Sequence, residues 1–176
     1  MKKQYLILSL ILLVGCAKSN GAEEPTVNVK TVVIEQPQTK IDIAKQYLDY
    51  SAKKDRQELK EFIGVDPLKI EWCAAFINAV LHHLGLPGSE SVSDYPLVAR
   101  SFLTWGKVVR EPQQGDIVVF PRGKQPWQGH VGFYYGTVFV NGKKYYQILG
   151  GNQSKRVTIE LFPARAAIGI RRHLTN

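Results

Sequence analysis

The first residue that suggests chemistry is Cys73, which stands at the predicted start of a helix in the stretch IEWCAAFINAVLHHL, residues 70–84. Apolar side chains recur there at the spacing of one helical face, at Phe76, Ile77, Val80, Leu81 and Leu84. A cysteine in a first helical turn meets unpaired backbone N–H groups and the positive end of the helix dipole, and both favour the thiolate. Cys73 is therefore a candidate nucleophile. The alternative is a buried cysteine that packs as a small apolar side chain.

A cysteine nucleophile requires a base within reach, and the chain has four histidines. His82 and His83 follow Cys73 on the same helix and lie roughly 14 Å further along its axis, too far to contact the sulfur. His173 lies near the C-terminus beside two arginines, and we interpret it as solvated. His130 remains. It follows a glycine and begins a predicted strand, and such a strand end can face the start of a helix.

A third group must hold the imidazole in the right tautomer and orientation. Asn152, in the segment LGGNQS at residues 149–154, precedes the next predicted strand, and its uncharged amide suits this role. The alternative for Asn152 is a simple turn residue after two glycines. Gln153 is an adjacent alternative for the third group. Asp116 can also be considered, but a Gly-Asp pair at the start of a strand is commonly a turn.

The N-terminus carries the pattern of an exported protein. Lys2 and Lys3 precede a largely apolar stretch, residues 5–14, which is too short for a permanent transmembrane helix. The segment LVGC at residues 13–16 resembles the bacterial lipobox, which implies cleavage before Cys16 and its lipidation. We therefore predict a signal peptide at residues 1–15 and a flexible tether at residues 16–40 that begins with the lipidated cysteine. Cys73 then has no disulfide partner.

Helical and strand periodicities occupy separate halves of the predicted domain, residues 41–176. Helices are predicted from Ile41, through Leu59 to Gly64, from Cys73, and over residues 96–105. After Pro112 the apolar period becomes two, and five strands are predicted at residues 116–120, 130–135, 145–149, 156–160 and 167–171. Asn141-Gly142 is a strong hairpin signal. This order predicts an α+β domain with the helices on one side of an antiparallel sheet.

Composition agrees with one globular domain and a short extension. The chain has 176 residues, of which 44% are apolar. Its formal charge of +8 suits a polyanionic neighbourhood such as a cell wall or anionic lipid. The basic residues are spread along the chain without a recognisable binding module, so we predict no nucleic-acid partner.

Four motifs follow each other in an order that resembles a known family. They are EWCAAFIN at residues 71–78, PQQGDIVVF at 112–120, GHVGF at 129–133 and LGGNQ at 149–153. Together they resemble the NlpC/P60 superfamily of cell-wall cysteine peptidases, most closely its CHAP-like branch with the W-C-A-x-F and G-G-N-Q motifs. The resemblance extends over residues 41–172, and four motifs in order are far more specific than one.

The resemblance implies a papain-like α+β fold, with N-terminal helices on one side of a five- or six-stranded antiparallel sheet. It implies that Cys73 is the nucleophile, His130 the base and Asn152 the polar third residue. Relatives in the CHAP group often carry a glutamine shortly before the nucleophile, where it completes the oxyanion hole. Residues 67–70 of this chain read PLKI instead, so only the backbone N–H of Cys73 is assigned as a donor.

The resulting prediction is a lipid-anchored cysteine peptidase or amidase that cleaves an amide bond in peptidoglycan. We expect Trp72, Trp127 and Gln153 to contact the substrate, and we expect no cofactor or metal. Peptidoglycan and, through Cys16, a membrane are the expected partners of a monomer at the periplasmic face of the bacterial envelope. Ala17 favours the outer membrane if the cell is Gram-negative. Two alternatives stay open: a non-catalytic peptidoglycan-binding lipoprotein on the same fold, and a cysteine hydrolase of another acyl substrate.

Overall fold

Three α-helices lead into an antiparallel sheet, in the order that the sequence predicts. The structure is a computed structural model that describes residues 37–173. The predicted signal peptide, Cys16 and most of the predicted tether lie outside the described residues. Within residues 37–173, no helix is long and apolar enough to cross a membrane.

The first two helices are short and have well-defined ends. Helix α1 spans Lys40–Lys45, and its N-cap Thr39 forms a reciprocal capping box with Asp42. Helix α2 spans Arg56–Ile63 and ends at Gly64, which adopts a left-handed conformation at φ 73°. This is the end that the sequence predicts for the second helix.

Helix α3 spans Cys73–His83 and lies at the centre of the core. Its predicted apolar face is confirmed, since Phe76, Ile77, Val80 and Leu81 are fully buried. The helix is buried on more than that face, because Ala74, Ala75 and Asn78 are also enclosed. Helix α3 is therefore a core helix, rather than a surface helix with one solvated side.

The sheet has six strands, and all of its pairings are antiparallel. The strands are β1 (Lys107–Val108), β2 (Ile117–Pro121), β3 (Gly129–Val140), β4 (Lys143–Gln153), β5 (Arg156–Pro163) and β6 (Gly169–Arg172). Their order across the sheet is β1-β6-β2-β3-β4-β5. Asn141 and Gly142 join β3 to β4 with positive φ angles of 50° and 73°, so the predicted two-residue hairpin is confirmed.

The two faces of the sheet have different partners. Side chains of one face pack with the helices in the main core, at Ile117, Val119, Val131, Phe133, Leu149 and Val157. The alternate residues form a smaller cluster on the other face, at Val118, Phe120, Tyr146 and Ile148. This alternation between the two faces is the reason that apolar residues recur with a period of two in the sequence. The helices therefore pack on one side of the sheet, as predicted.

Several parts of the sheet domain differ from prediction, and β3 and β4 extend well beyond the predicted residues 130–135 and 145–149. The helix predicted at residues 96–105 is a short 3-10 helix, Ala99–Leu103. Ala99, Phe102 and Trp105 are buried, and their spacing of three residues matches the three-residue turn of a 3-10 helix. Strand β1 was not predicted, because both of its residues are exposed and its pattern therefore has no buried face.

Candidate active site

Cys73 is the first residue of α3 and borders a cleft of about 340 Å³. Its side chain is almost enclosed, with 3% of the residue exposed. Other residues around the cleft are Glu71, Ala99, Arg122, Trp127 and Gly129. They come from the loop before α3, the 3-10 helix Ala99–Leu103, the connection between β2 and β3, and the first residue of β3, so the cleft forms only when these elements pack together.

The start of α3 is free to interact with negative charge. Trp72 occupies the N-cap position and makes no side-chain capping hydrogen bond, and the first turn has no acidic residue. The first N–H groups of a helix have no partner within the helix, and the helix dipole is positive there. A carbonyl oxygen that gains negative charge beside Cys73 would be stabilised by these groups.

The thiol of Cys73 is nevertheless held in its neutral form. Burial raises its pKa above the ordinary value of 9.0. Backbone hydrogen bonding from Val131 and Ala74 and the positive charge of Arg122 lower this pKa, but they do not offset burial. The helix N-terminus was expected to favour the thiolate. In the cleft, loss of solvation has the stronger effect on the pKa of Cys73, so the expectation that the helix start favours a thiolate is wrong.

His130 lies near the start of β3, where its register partner is Phe120 on β2. The residue is 2% exposed, and its ring stacks on Phe162 with centroids 5.2 Å apart. Burial lowers the pKa of His130 to about 4, although the hydrogen bond that its ring donates to the Gln153 side chain acts in the opposite direction. The imidazole is therefore neutral at pH 7 and can accept a proton.

Gln153 determines which nitrogen of His130 accepts that proton. The amide Nε2 of Gln153 donates to the carbonyl oxygens of Ile148 and Thr158 at 3.2 and 2.8 Å, so its Oε1 faces the imidazole. The distance between this Oε1 and His130 Nε2 is 3.0 Å. Since Oε1 can only accept, the proton of the neutral ring lies on Nε2. Nδ1 carries the lone pair, and it is buried with no hydrogen-bond partner among residues 37–173.

Asn152 was expected to orient His130, and the structure places it elsewhere. Its Nδ2 donates to Oε2 of Glu71, the residue two positions before Cys73. The register between β4 and β5 shifts between Gly150 and Gln153, and Asn152 adopts φ 58° within this bulge. Successive residues of a strand face opposite sides, so the bulge decides which of the two amides meets the imidazole. It is Gln153, the alternative noted from the sequence.

The three residues predicted to contact the substrate differ in their exposure to solvent. Trp127 is 61% exposed and borders the cleft with Cys73. Trp72 is fully buried, and a Cβ atom on Gly151 would lie 2.5 Å from its ring, so Trp72 packs in the core instead of lining a groove. Gln153 is buried and contacts His130, so it is not available to a ligand in this structure.

Three histidines were set aside from the sequence, and all three lie away from this arrangement. The Nε2 of His82 lies 2.9 Å from Glu90 Oε1, and the His83 ring lies 6.5 Å from that of Phe62. His173 was interpreted as solvated, but it is half-buried and its ring lies 5.7 Å from that of Trp105, so this interpretation is wrong. The structure thus leaves His130 as the histidine whose surroundings are linked to those of Cys73.

Cys73 and His130 share their electrostatic surroundings. The positive charge of Arg122 lowers the pKa of the Cys73 thiol and of the His130 imidazole, and the negative charge of Glu71 raises both. The backbone of Val131, the residue after His130, acts on the sulfur. No hydrogen bond joins the thiol to the imidazole within the described part of the chain. Catalytic hydrogen bonds often form only in the substrate complex, so this geometry is compatible with general-base catalysis.

Sequence reasoning placed neither Glu71 nor Arg122 in the catalytic triad, and Arg122 stood out only as a basic loop residue near His130 that could meet carboxylates of stem peptides. Both border the cleft, and Arg122 Nη1 lies 3.7 Å from Glu71 Oε2. Two sequence signals were available: Glu71 is part of the nucleophile motif, and Arg122 directly follows the last residue of β2. Neither signal shows that the two residues meet. Within residues 37–173, no group of three or more His, Cys, Asp or Glu side chains is placed so that it could hold a metal ion.

Comparison with protein families gives a clear assignment for this part of the chain. The model of the CHAP domain family matches residues 65–152, half of the chain, and the chain therefore belongs to the CHAP family. The match includes Cys73 and His130 and ends at Asn152. CHAP domains are typically amidase or peptidase hydrolases that act on peptidoglycan. No curated protein gives a significant match.

Proposed function

We propose that this protein is a cysteine hydrolase that cleaves an amide bond in peptidoglycan, with Cys73 as nucleophile and His130 as base. The observation that carries the proposal is the state of His130. Its Nε2–H is tied to Gln153, and its basic Nδ1 is buried without a partner, in the surroundings that also act on Cys73. Buried polar atoms without a hydrogen-bond partner are uncommon in native proteins, and a catalytic role is one explanation for them. We also propose that the fold is papain-like, as the sequence resemblance implies.

The reaction begins from a neutral thiol and a neutral imidazole. As the sulfur of Cys73 attacks the substrate carbonyl carbon, its proton passes to Nδ1 of His130. The backbone N–H groups at the start of α3 stabilise the oxyanion. His130 then gives the proton to the departing nitrogen, the C–N bond breaks, and an acyl thioester remains on Cys73. Water deprotonated by His130 attacks this thioester, releasing the carboxylic acid and restoring the thiol.

Gln153 is the proposed positioning residue in this scheme. It accepts the Nε2–H of His130, so that Nδ1 is the nitrogen that takes up and releases the proton in each step. The family motif implies Asn152 for this role, while the contacts of Asn152 support a different one. By holding Glu71, Asn152 fixes the loop that precedes the nucleophile. Trp127, exposed at the edge of the cleft, is proposed to pack against the bound substrate.

The test is a digest of purified peptidoglycan followed by mass spectrometry of the fragments. Wild-type protein should release new fragments, and Cys73→Ala should release none. The fragments identify the bond, whether muramoyl–alanine, a bond within the stem peptide, or a cross-bridge. A Cys73→Ala variant that still releases them would overturn the assignment of the nucleophile.

One observation favours the second candidate, a non-catalytic peptidoglycan-binding protein. Cys73 is 3% exposed and its thiol pKa is raised, which is also what a packed structural cysteine shows. This candidate predicts binding to intact sacculi that is equal in wild type and Cys73→Ala, with no fragments released by either. The same digest therefore separates the two functions.

We also propose that the protein is a monomer anchored through lipidated Cys16 at the periplasmic face of the envelope. The support for the anchor is the sequence pattern of residues 1–16 alone. Growth with an alkyne-tagged fatty acid should label the wild-type protein and leave Cys16→Ser unlabelled. Membrane fractionation would then show which membrane holds it. Labelling of Cys16→Ser to the same extent would contradict the anchor.

A further inference from the structure

Two opposite charges face each other at the mouth of the cleft that holds Cys73. Arg122 Nη1 and Glu71 Oε2 are 3.7 Å apart, and their side chains are 45% and 81% exposed. This separation is too long for a hydrogen bond. Among the described residues, the Arg122 guanidinium has no hydrogen-bond partner, whereas the guanidinium groups of Arg56 and Arg172 each make two hydrogen bonds to a carboxylate. The planar donor edge of Arg122 is therefore available.

The loop that carries Arg122 has a defined shape. The Oε1 of Gln128 accepts hydrogen bonds from the backbone N–H groups of Lys124 and Gln125 at 2.8 and 2.9 Å. Arg100 Nε donates to the backbone oxygen of Gln128 at 2.8 Å, which ties the loop to the 3-10 helix. Arg122 is thus presented to the cleft from a backbone that is already ordered, which lowers the cost of binding a ligand there.

Glu71 can release Arg122 without losing its other partner. Its Oε2 also accepts a hydrogen bond from Asn152, and its side chain is largely solvated. An exposed ion pair without a hydrogen bond contributes little free energy, so an incoming carboxylate that makes two direct hydrogen bonds competes well with it. A carboxylate of a ligand can therefore replace Glu71 as the partner of Arg122.

We propose that Arg122 is a carboxylate-binding subsite next to the scissile amide, and that Glu71 occupies it when no substrate is bound. The proposal rests on the proposed function and names its substrate class: a peptide amide with a free carboxylate close to the bond that is cut. Arg122 and Cys73 border the same small cleft, so the carboxylate and the scissile bond must lie close together. Arg122 acts here in substrate selection, and the proton transfers remain with His130.

The experiment uses two synthetic stem peptides that differ only in one group, a carboxylate in the first and a primary carboxamide in the second. Binding is measured by calorimetry with Cys73→Ala, and kcat/KM with the active protein. We expect a preference of roughly three- to tenfold for the carboxylate, typical of a partly exposed arginine–carboxylate pair. The preference should decrease as salt is added.

Matched variants test whether Arg122 is the source of the preference for the carboxylate peptide. Arg122→Gln should abolish it, while Lys124→Gln, which removes the same charge from the same loop, should leave it unchanged. Glu71→Gln keeps an acceptor for Asn152 but frees Arg122, so binding of the carboxylate peptide should tighten about twofold or more.

Each outcome decides the subsite separately from the proposed function. A wild type without preference, or an Arg122→Gln variant that keeps it, overturns the subsite even if both peptides are cleaved. If neither peptide is cleaved but Cys73→Ala binds the carboxylate peptide more tightly through Arg122, the subsite stands, and the hydrolase assignment fails only if the peptidoglycan digest also releases no fragments.

Discussion

His130 and Gln153 are joined by a buried hydrogen bond in which the imidazole Nε2 lies 3.0 Å from the amide Oε1. The opposite end of that amide is held by backbone carbonyls of β4 and β5, so it cannot rotate to offer its nitrogen. One glutamine thereby connects the geometry of the sheet to the protonation state of the proposed base. Because Gln153 occupies the position next to the imidazole, Asn152 can donate its hydrogen bond to Glu71 in the loop before α3.

The first prediction separates Gln153 from Asn152. Gln153→Ala should reduce kcat by roughly 10² to 10⁴, because the tautomer of His130 is no longer held. It should also lower the free energy of unfolding by about 1–3 kcal/mol, since buried carbonyls lose their donor. Asn152→Ala removes only the contact with Glu71 and should reduce kcat by less than about tenfold. Kinetics and urea unfolding of both variants provide the measurement, and a larger kcat loss for Asn152→Ala would favour the triad that the family motif implies.

The second prediction concerns the reactivity of Cys73. Because burial raises its thiol pKa, alkylation by iodoacetamide at pH 7 should be slower than alkylation of the same cysteine in urea-unfolded protein. The rate for the folded protein should continue to increase with pH above 9, where that of the unfolded protein levels off. Arg122→Gln should slow the folded reaction further, since Arg122 lowers this pKa. Rapid alkylation at pH 6 would instead reveal a preformed thiolate.

The third prediction is a loss of stability in mild acid. The pKa of His130 is about 4 in the folded protein and 6.5 by reference in the unfolded chain. Between these values the unfolded chain binds more protons, so stability is fully present above pH 6.5 and decreases as the pH falls to about 4. The decrease has an upper limit of roughly 3 kcal/mol. Urea midpoints at pH 4.5 and 7.5 measure it.

His130→Gln is the control for that measurement, because its amide can still donate to Gln153 but does not titrate. Its urea midpoint should change less between the two pH values than that of the wild type. Asp66, whose pKa Arg56 lowers to about 2, titrates below this window and does not contribute to the comparison. An equal pH dependence in both proteins would show that His130 is not the group responsible.

The fourth prediction contrasts two tryptophans. Trp127→Ala should weaken binding of peptidoglycan fragments while leaving the melting temperature nearly unchanged, because Trp127 is exposed beside the cleft. Trp72→Ala should destabilise the fold by about 3–5 kcal/mol, since it empties a large volume in the core. Calorimetric titration and thermal unfolding of the two variants distinguish the roles. A stable Trp72→Ala variant with reduced binding would restore Trp72 as a groove residue.

The sequence and the structure agree most closely where the signal is local. The turn at Asn141-Gly142, the end of α2 at Gly64 and the alternation along β2 each depend on a few adjacent residues. The short 3-10 helix at Ala99–Leu103 was harder to predict, because three-residue spacing over a short segment resembles the helical period. The partner of His130 was not decided by local signals, since Asn152 and Gln153 are adjacent amides and either suits the role.

By itself, the sequence determined the order of the elements, the placement of Cys73 at the start of a helix and the choice of His130 among four histidines. These follow from periodicity, turn residues and distance along one helix. The tertiary structure decided which amide holds His130, through a bulge in β4 that turns Gln153 inward and Asn152 toward Glu71. It also decided the charge state of Cys73 and His130, because desolvation depends on atoms from distant parts of the chain.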